Sequence, residues 1–380
     1  MKFITNSQTF SKQLQAISGI ITNSNTVPIV SCFHFHIDEG LLTIKATDLE
    51  TTIVAKMPLE SGRSEGIDDV AVPSKLLLDT LKSMDDQPMT FTVHPENFQI
   101  DITSGDGTYQ LAGQNAETFP SLPVVENALT ISLSASTIVT AVNKTAFAAA
   151  TEDMRPQMTG IFVNFDSEGM TAVATDAHKL ARYRNASVKA DEDINFILPR
   201  KPITLVKNIL SSRKEDCDVK LECNATNVAF TFENMYIVCR LIDGTYPNVK
   251  AAIPKDNPNH LVVDRNSFLN VMRRVALYAS QSTHQLRLSL SDRELTVSAE
   301  DIEFSNNAQE KLPCHYEGEP MEIGFNAKFL SEMVGNIDTE NVELTLSHPS
   351  RAGILYPVYE NEDDNKIDIL MLVMPVMLAN

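Results

Sequence analysis

A run of about 18 apolar residues, the length that spans a bilayer, is missing from this 380-residue sequence, so no membrane-spanning helix is expected. The opening "MKFITNSQTF" turns polar at once, and no signal peptide is expected there. Cysteine is scarce. Cys32, Cys217, Cys223, Cys239 and Cys314 are odd in number and form no C-x-x-C, which fits reduced thiols in a cytoplasmic protein. Positive charge is in deficit, with 31 Lys and Arg against 50 Asp and Glu and a net charge of -19. That balance excludes simple adhesion to nucleic acid by bulk charge, because phosphate binding needs cationic surface. It favours partners that are basic or apolar. No G-x-S-x-G, phosphate-binding loop or metal-ligand cluster is present, so neither a metal nor a cofactor is expected.

The composition that remains is that of a multidomain globular protein. Hydrophobic residues make up 43% of the chain, and its length suits two or three domains. The stretch "AVATDAHKLARYR" (172–184) sets Asp176 beside His178, a pairing that suits orientation of a general base. A hydrolase reading would recruit a Ser such as Ser187. An internal repeat argues against it. "GLLTIKATDLE" (40–50), "GMTAVATDAHK" (169–179) and "RELTVSAEDIE" (293–303) align on Asp48, Asp176 and Asp301, which lie 128 and 125 residues apart. "VPSKLLLDTLKSM", "LPRKPITLVKNIL" and "FNAKFLSEMVGNI" align on Lys75, Lys201 and Lys328, 126 and 127 apart. Pro120, Pro247 and Pro375 follow at spacings of 127 and 128. A further amphipathic segment opens each third, at 7–21, 134–150 and 264–279.

A period this long makes each repeat a whole domain. The boundaries fall at about 1–124, 125–256 and 257–380, with Pro-containing polar seams "SLPVVENA" and "PKDNPNH". Each third pairs two helical segments with short strands of period two, such as "FHFHID" and "LRLSLS". The expected class is α+β, three tandem similar domains with helices packed on antiparallel sheet. An Asp at the same strand end in all three copies reads as a turn residue accepting backbone N–H groups.

Charge is unevenly placed. The helical segments carry Lys12, Lys75, Lys82, Lys144, Arg200, Lys201, Lys207, Arg265, Arg273, Arg274 and Lys328, whereas acid gathers in stretches such as "NEDDN" (361–365). These bases are either ordinary solvated helix faces or one basic surface shared by equivalent helices. In the second case they would hold a polyanion loosely, through its backbone and with strong salt dependence. The ending "IDILMLVMPVMLAN" reads as a core strand over Ile369–Val373, followed by Met-rich apolar residues that suit a peptide-accepting groove.

The motifs "MKF", "VPI", "ATDLE", "VATDAHKLA", "LPRK", "LIDGTYPNVKAAIP", "IGFNAKFL" and "VMPVML", taken with the threefold period, resemble the bacterial DNA polymerase III beta subunit family, the sliding clamps. The resemblance implies a non-catalytic homodimeric ring of six similar domains, with helices inside, sheets outside and duplex DNA passing through without regard to sequence. It implies a separate loader that opens the ring with ATP. It implies partners that dock by short linear motifs: the polymerase alpha subunit, the loader delta subunit, other DNA polymerases and mismatch repair proteins.

Their groove would be built from Arg155, Met158, Thr175, Ala177, His178, Lys179, Leu180, Pro247, Asn326, Phe329, Val373, Met374, Pro375, Val376 and Leu378. The seam between subunits would involve Tyr109, Leu111, Leu277 and Tyr278, for which ordinary core burial is the alternative. The chain departs from the family pattern at five places. Ala177 stands where Gly is frequent, Lys179 where Arg is frequent, and Ala251 where some members carry a base. The loop near Ser24 has no Arg, and Ala379 and Asn380 follow Leu378. A monomeric three-domain adaptor that binds peptides but not DNA is the competing reading.

Overall fold

The computed structural model describes residues 1–22, 26–152, 154–360 and 367–378. Ser24, the "NEDDN" stretch, Ala379 and Asn380 lie outside them. Seven α-helices occur among the described residues: α1 (Ser7–Ser18), α2 (Ser74–Lys82), α3 (Ala135–Thr145), α4 (Arg200–Ser211), α5 (Val249–Ala252), α6 (Arg265–Val275) and α7 (Ala327–Gly335). Six fall on the six amphipathic segments of the repeat. The short α5 lies just after the Pro247 landmark and before the "PKDNPNH" seam, where no helix is expected from the sequence. No helix of the described residues is long and apolar enough to cross a membrane.

The helices start where capping chemistry tells them to. Asn6 accepts from Gln8 N and Thr9 N at 3.0 and 3.1 Å to open α1, and Asp264 accepts from Ser267 N at 2.7 Å to open α6. The Ser267 bonds also hold the Asp264 carboxyl below its usual range. Apolar residues three or four apart then form the buried stripes: Phe10, Leu14 and Ile17 on α1, and Phe268, Met272 and Val275 on α6.

The chain condenses into two compact units, Met1–Val139 with Lys201–Leu241, and Thr140–Arg200 with Ile242–Asn380. In the first, α1 packs on α2 over a cluster of Phe3, Phe10, Phe35 and Phe91, in which Phe3 and Phe91 stack at 4.7 Å. An antiparallel sheet runs in the order Leu129–Ser134, Asp218–Cys223, Asn227–Phe232, Met235–Arg240, Thr51–Pro58, Leu41–Thr47, Cys32–Asp38, Asp69–Pro73. A five-stranded sheet ends on Gly107–Ala112. In the second unit α6 packs on α7. One sheet runs Ile194–Pro199, Gly160–Asp166, Gly169–Thr175, Lys179–Asn185, Ile367–Val373, Gly353–Val358, Asn341–Leu346, Asn259–Asp264, His315–Glu317. Its five-stranded companion runs from Asn306–Pro313 at one edge to Pro375–Val376 at the other.

The long sheets explain why the compact units and the sequence repeat do not coincide. Strand Met235–Arg240 of the central third pairs with Thr51–Pro58 of the first, with Ile237 opposite Ile53. Strand Lys179–Asn185 pairs with Ile367–Val373 of the last third, with Arg182 opposite Leu370. Pairing across the repeat boundaries covers edges that separate domains would leave open.

All five cysteines are free thiols. Burial pushes the Cys223 thiol up to about 11 and the Cys239 thiol up to about 12, so both stay protonated and unreactive at neutral pH.

Candidate functional site

The Asp of the repeat is a turn residue in the first two copies. Asp176 Oδ1 accepts from His178 N and Lys179 N, each at 2.9 Å, and Asp48 Oδ1 accepts from Glu50 N and Thr51 N at 3.2 and 2.8 Å. Thr175 closes the same loop from within: its hydroxyl donates to Lys179 O at 2.7 Å and accepts from Ala177 N at 3.1 Å. Thr47 does the same with Thr51 O and Leu49 N.

The third copy differs. Glu300, at the Thr position, offers no hydroxyl. The strand runs through Asp301, which pairs with Asn306, and the turn moves one residue on. Asp301 accepts only a long 3.4 Å bond from Phe304 N. The hydrolase geometry is also missing. Ser187 donates to Asn185 Oδ1 at 2.6 Å, at the far end of the strand from His178.

Around the Thr175–Lys179 hairpin the second unit gathers an apolar site. Leu180 and Val173 are buried in a cluster with Ile197, Tyr246, Ile354, Leu370 and Leu372, against which Val249 of α5, Ile253 and Tyr356 pack. Phe162 stacks on Tyr246 at 5.2 Å. Pro247 is exposed next to Tyr246, and its carbonyl accepts from Val249 N to start α5. Burial pushes the Tyr246 hydroxyl up, so it stays neutral.

On the other side stands α7. Asn326 caps it, accepting from Lys328 N and Phe329 N, while its amide donates to Thr283 O at 3.2 Å. The Phe329 ring stacks on His178 at 6.0 Å and 21°. The last described segment joins the two sides. Lys179 lies opposite Val373, Met374 N donates to His178 O at 2.9 Å, and Pro375–Val376 pairs with Phe325 and Gly324. Gly324 is required there, because a Cβ would meet Val376 O at 2.6 Å. Met374 and Met377 are exposed, while Pro375, Val376 and Leu378 are half-buried. Arg155 is exposed and reaches the sulfur of buried Met158 at 3.9 Å.

Lys144 corrects its sequence reading, and two further residues named from the sequence are buried within the chain. Lys144 is buried rather than displayed on a helix face, because its ammonium donates to Asn336 O at the C-terminal end of α7 and to Asp338. Lys179 is buried as well, turned inward by acceptors described below. Leu111 is a core residue, its side chain facing inward from the edge strand Gly107–Ala112.

Of the other bases, Lys201 pairs with Asp48 and Arg274 with Glu310, Arg265 donates to Thr339 O, and Lys328 lies 2.8 Å from His284 Nε2. Lys12, Lys75, Lys82 and Arg273 are exposed, Lys207 is half-buried, and none of these five has an ion pair among the described residues; Arg200 is exposed at the start of α4. Tyr109, Leu277 and Tyr278 are exposed, at 40, 78 and 46%.

Comparison with known proteins fits this geometry. Family models of the DNA polymerase III beta subunit match in succession, the N-terminal domain over residues 1–123, the central domain over 132–248 and the C-terminal domain over 250–375. The chain belongs to the DNA polymerase III beta subunit family. It is 26% identical to the beta sliding clamps of Synechococcus elongatus over 388 residues and of Vibrio cholerae over 379, with both chains covered in full. A DnaN sliding clamp from Pseudomonas aeruginosa, bound to griselimycin, superposes with a TM-score of 0.92 at 26% identity. One from Bartonella birtlesii does so at 0.90 and 26%. Each match covers all of both chains. The fold is the three-domain DNA clamp, and the family's work is processive DNA replication.

One departure from the clamp pattern has a structural consequence. Ala177 adopts φ 75°, a left-handed conformation in which a Cβ is strained. Relief of that strain is worth about 1–2 kcal/mol, less about 0.4–1 kcal/mol for the entropy glycine adds to the unfolded chain, so Ala177→Gly is expected to raise stability by about 0.5–1 kcal/mol. Denaturant titration checks this, and a loss of stability would contradict it.

Residues that sequence reasoning passed over include Phe147, Tyr246, Glu332 and Ile354. Tyr246 carried a signal, standing beside Pro247 in a repeated Pro landmark. Glu332 carried none, since its partner lies 153 residues away.

Proposed function

We propose that this sliding clamp acts as a ring-shaped homodimer of three-domain subunits, divided at about 1–124, 125–256 and 257–380, that encircles duplex DNA in the cytoplasm. It tethers the replicative polymerase through the groove described above. The observation that carries the ring is a pair of open strand edges. Among the described residues Gly107–Ala112 pairs only with Gln99–Ser104, and Asn306–Pro313 only with Glu294–Asp301. Exposed Tyr109 marks the first edge. Leu277 and Tyr278 pack beside the second. Pairing the first edge of one subunit with the second edge of another removes both, in a head-to-tail closure.

A closed ring reconciles net charge -19 with residence on DNA, because topology replaces affinity. Lys12, Lys75, Lys82, Lys207, Arg273 and Lys328 supply weak, sequence-blind contacts to phosphate, joined by Arg200, Arg265 and the paired Lys201 and Arg274. Lys144 has no such part. The protein performs no chemistry of its own: the carboxylate of Asp176 serves its turn. The apolar walls around Leu180, Val249, Ile354 and Phe329 accept Leu and Phe anchors of short peptides from the polymerase alpha subunit, the loader delta subunit, other polymerases and mismatch repair proteins.

Primer extension on a primed single-stranded circle tests this. With DNA polymerase III, a bacterial clamp loader and ATP, the protein is expected to lengthen the product made per binding event. Product length that is unchanged while the loader turns over ATP would overturn the proposal.

A further inference from the structure

Lys179 is the least expected buried charge in the groove region. It is only 7% exposed, at the end of a hairpin turn whose Ala177 and His178 are exposed. Its Nζ donates to Phe147 O at 3.0 Å and to the Glu332 carboxylate on α7. The same ammonium lies 5.4 Å from the centroid of the Phe329 ring and 5.7 Å from that of Phe147. One cation thus touches three elements: its own hairpin, the turn Ala146–Ala148 and α7.

Glu332 follows Phe329 by three residues, so the two share a helix face. The ring that Lys179 approaches is the ring that stacks on His178. His178 in turn accepts Met374 N–H from the C-terminal segment. Neutralising the carboxylate would leave the ammonium buried without a counter-charge, held by neutral oxygens alone. The hairpin must then move to hydrate it.

We propose that Lys179 and Glu332 are positioning residues for the peptide groove. The pair locks the hairpin against α7 and so holds the His178–Phe329 wall and the Met374 segment in their binding arrangement, and neither side chain touches the peptide. The proposal rests on the groove being the peptide site. The opposite role for Lys179, a direct contact to an acidic partner side chain, conflicts with its burial and its two acceptors.

The two roles differ in the sign of one effect. If Lys179 met the peptide, neutralising Glu332 would release the ammonium and tighten binding of an acidic peptide. If the pair positions the wall, the same change weakens binding. A drop of the competent population to about one tenth raises the apparent Kd about tenfold.

The experiment uses the full-length protein and a fluorescein-labelled peptide with Leu and Phe anchors, made with and without an Asp, followed by anisotropy. Glu332→Gln keeps size and is 40% exposed at the side chain, so it folds and decides the matter without Lys179→Met. Both variants are expected to weaken both peptides about equally, by about tenfold. Lys179→Arg, which keeps two donors, is expected to stay close to wild type. Tighter binding of the acidic peptide by Glu332→Gln would overturn the positioning role in favour of direct contact. Unchanged affinity in Glu332→Gln would overturn it outright. Failure of the unaltered protein to bind either peptide would remove the groove reading itself.

Discussion

Replacing Leu277 and Tyr278 together by Asp is expected to turn the dimer into monomers. Both side chains are exposed in one subunit, on a turn after α6 that packs against the strands Glu294–Asp301 and Asn306–Pro313. Burying two side chains of this size in a seam is worth about 1.5–3 kcal/mol each, and forcing carboxylates into it removes that gain and adds a desolvation penalty. A total loss of about 4 kcal/mol corresponds to a dimer dissociation constant raised about a thousandfold. Local charges do not take over the task. Arg274 makes a two-pronged bond to Glu310, and Lys311 pairs with Glu294 within one subunit. Light scattering that still reports a dimer in the double variant would refute the seam.

Removing Val376–Asn380 is expected to abolish peptide binding while leaving fold and dimer in place. The core strand ends earlier: Ile367–Val373 keeps all its partners in the long sheet, and Val373 is fully buried. What goes is the pairing of Val376 with Gly324, and Leu378 with its contact over Gly324. Losing two apolar walls of about 1.5 kcal/mol each weakens binding by about a hundredfold or more. Anisotropy titration of a labelled peptide carries the test, and an unchanged Kd in the truncated protein would place the site elsewhere.

The parts of this structure that were legible in the sequence are those set by local periodicity and by the repeat. The six amphipathic segments became helices, and Asp48 and Asp176 became turn residues because a Thr precedes each. Asp301 was misjudged for want of that hydroxyl at Glu300. Non-local pairing was hidden. Nothing near Thr51–Pro58 announces that Met235–Arg240 will lie beside it, so the sheets that run through the repeat boundaries could not be read.

Buried lysines were hidden for a related reason. Lys144 reads as a base on a helix face, and Lys179 as a groove residue, until their acceptors, Asn336 O with Asp338, and Phe147 O with Glu332, are brought close by the fold. The groove itself was half legible. Apolar residues after Val373 and the Pro247 landmark beside Tyr246 pointed to it, whereas Val249 and Ile354, which join the same apolar cluster, emerged only from packing.

Enclosure of DNA, as opposed to adhesion to its surface, is tested most directly by cutting the DNA. The protein would be loaded onto a nicked circle with a bacterial clamp loader and ATP, the complex isolated, and the DNA cut once. Retention on the uncut circle and loss on linearisation is the predicted result, since a ring slides off an end. Equal retention on circle and linear DNA would mean binding to the surface of the duplex, and would contradict the account.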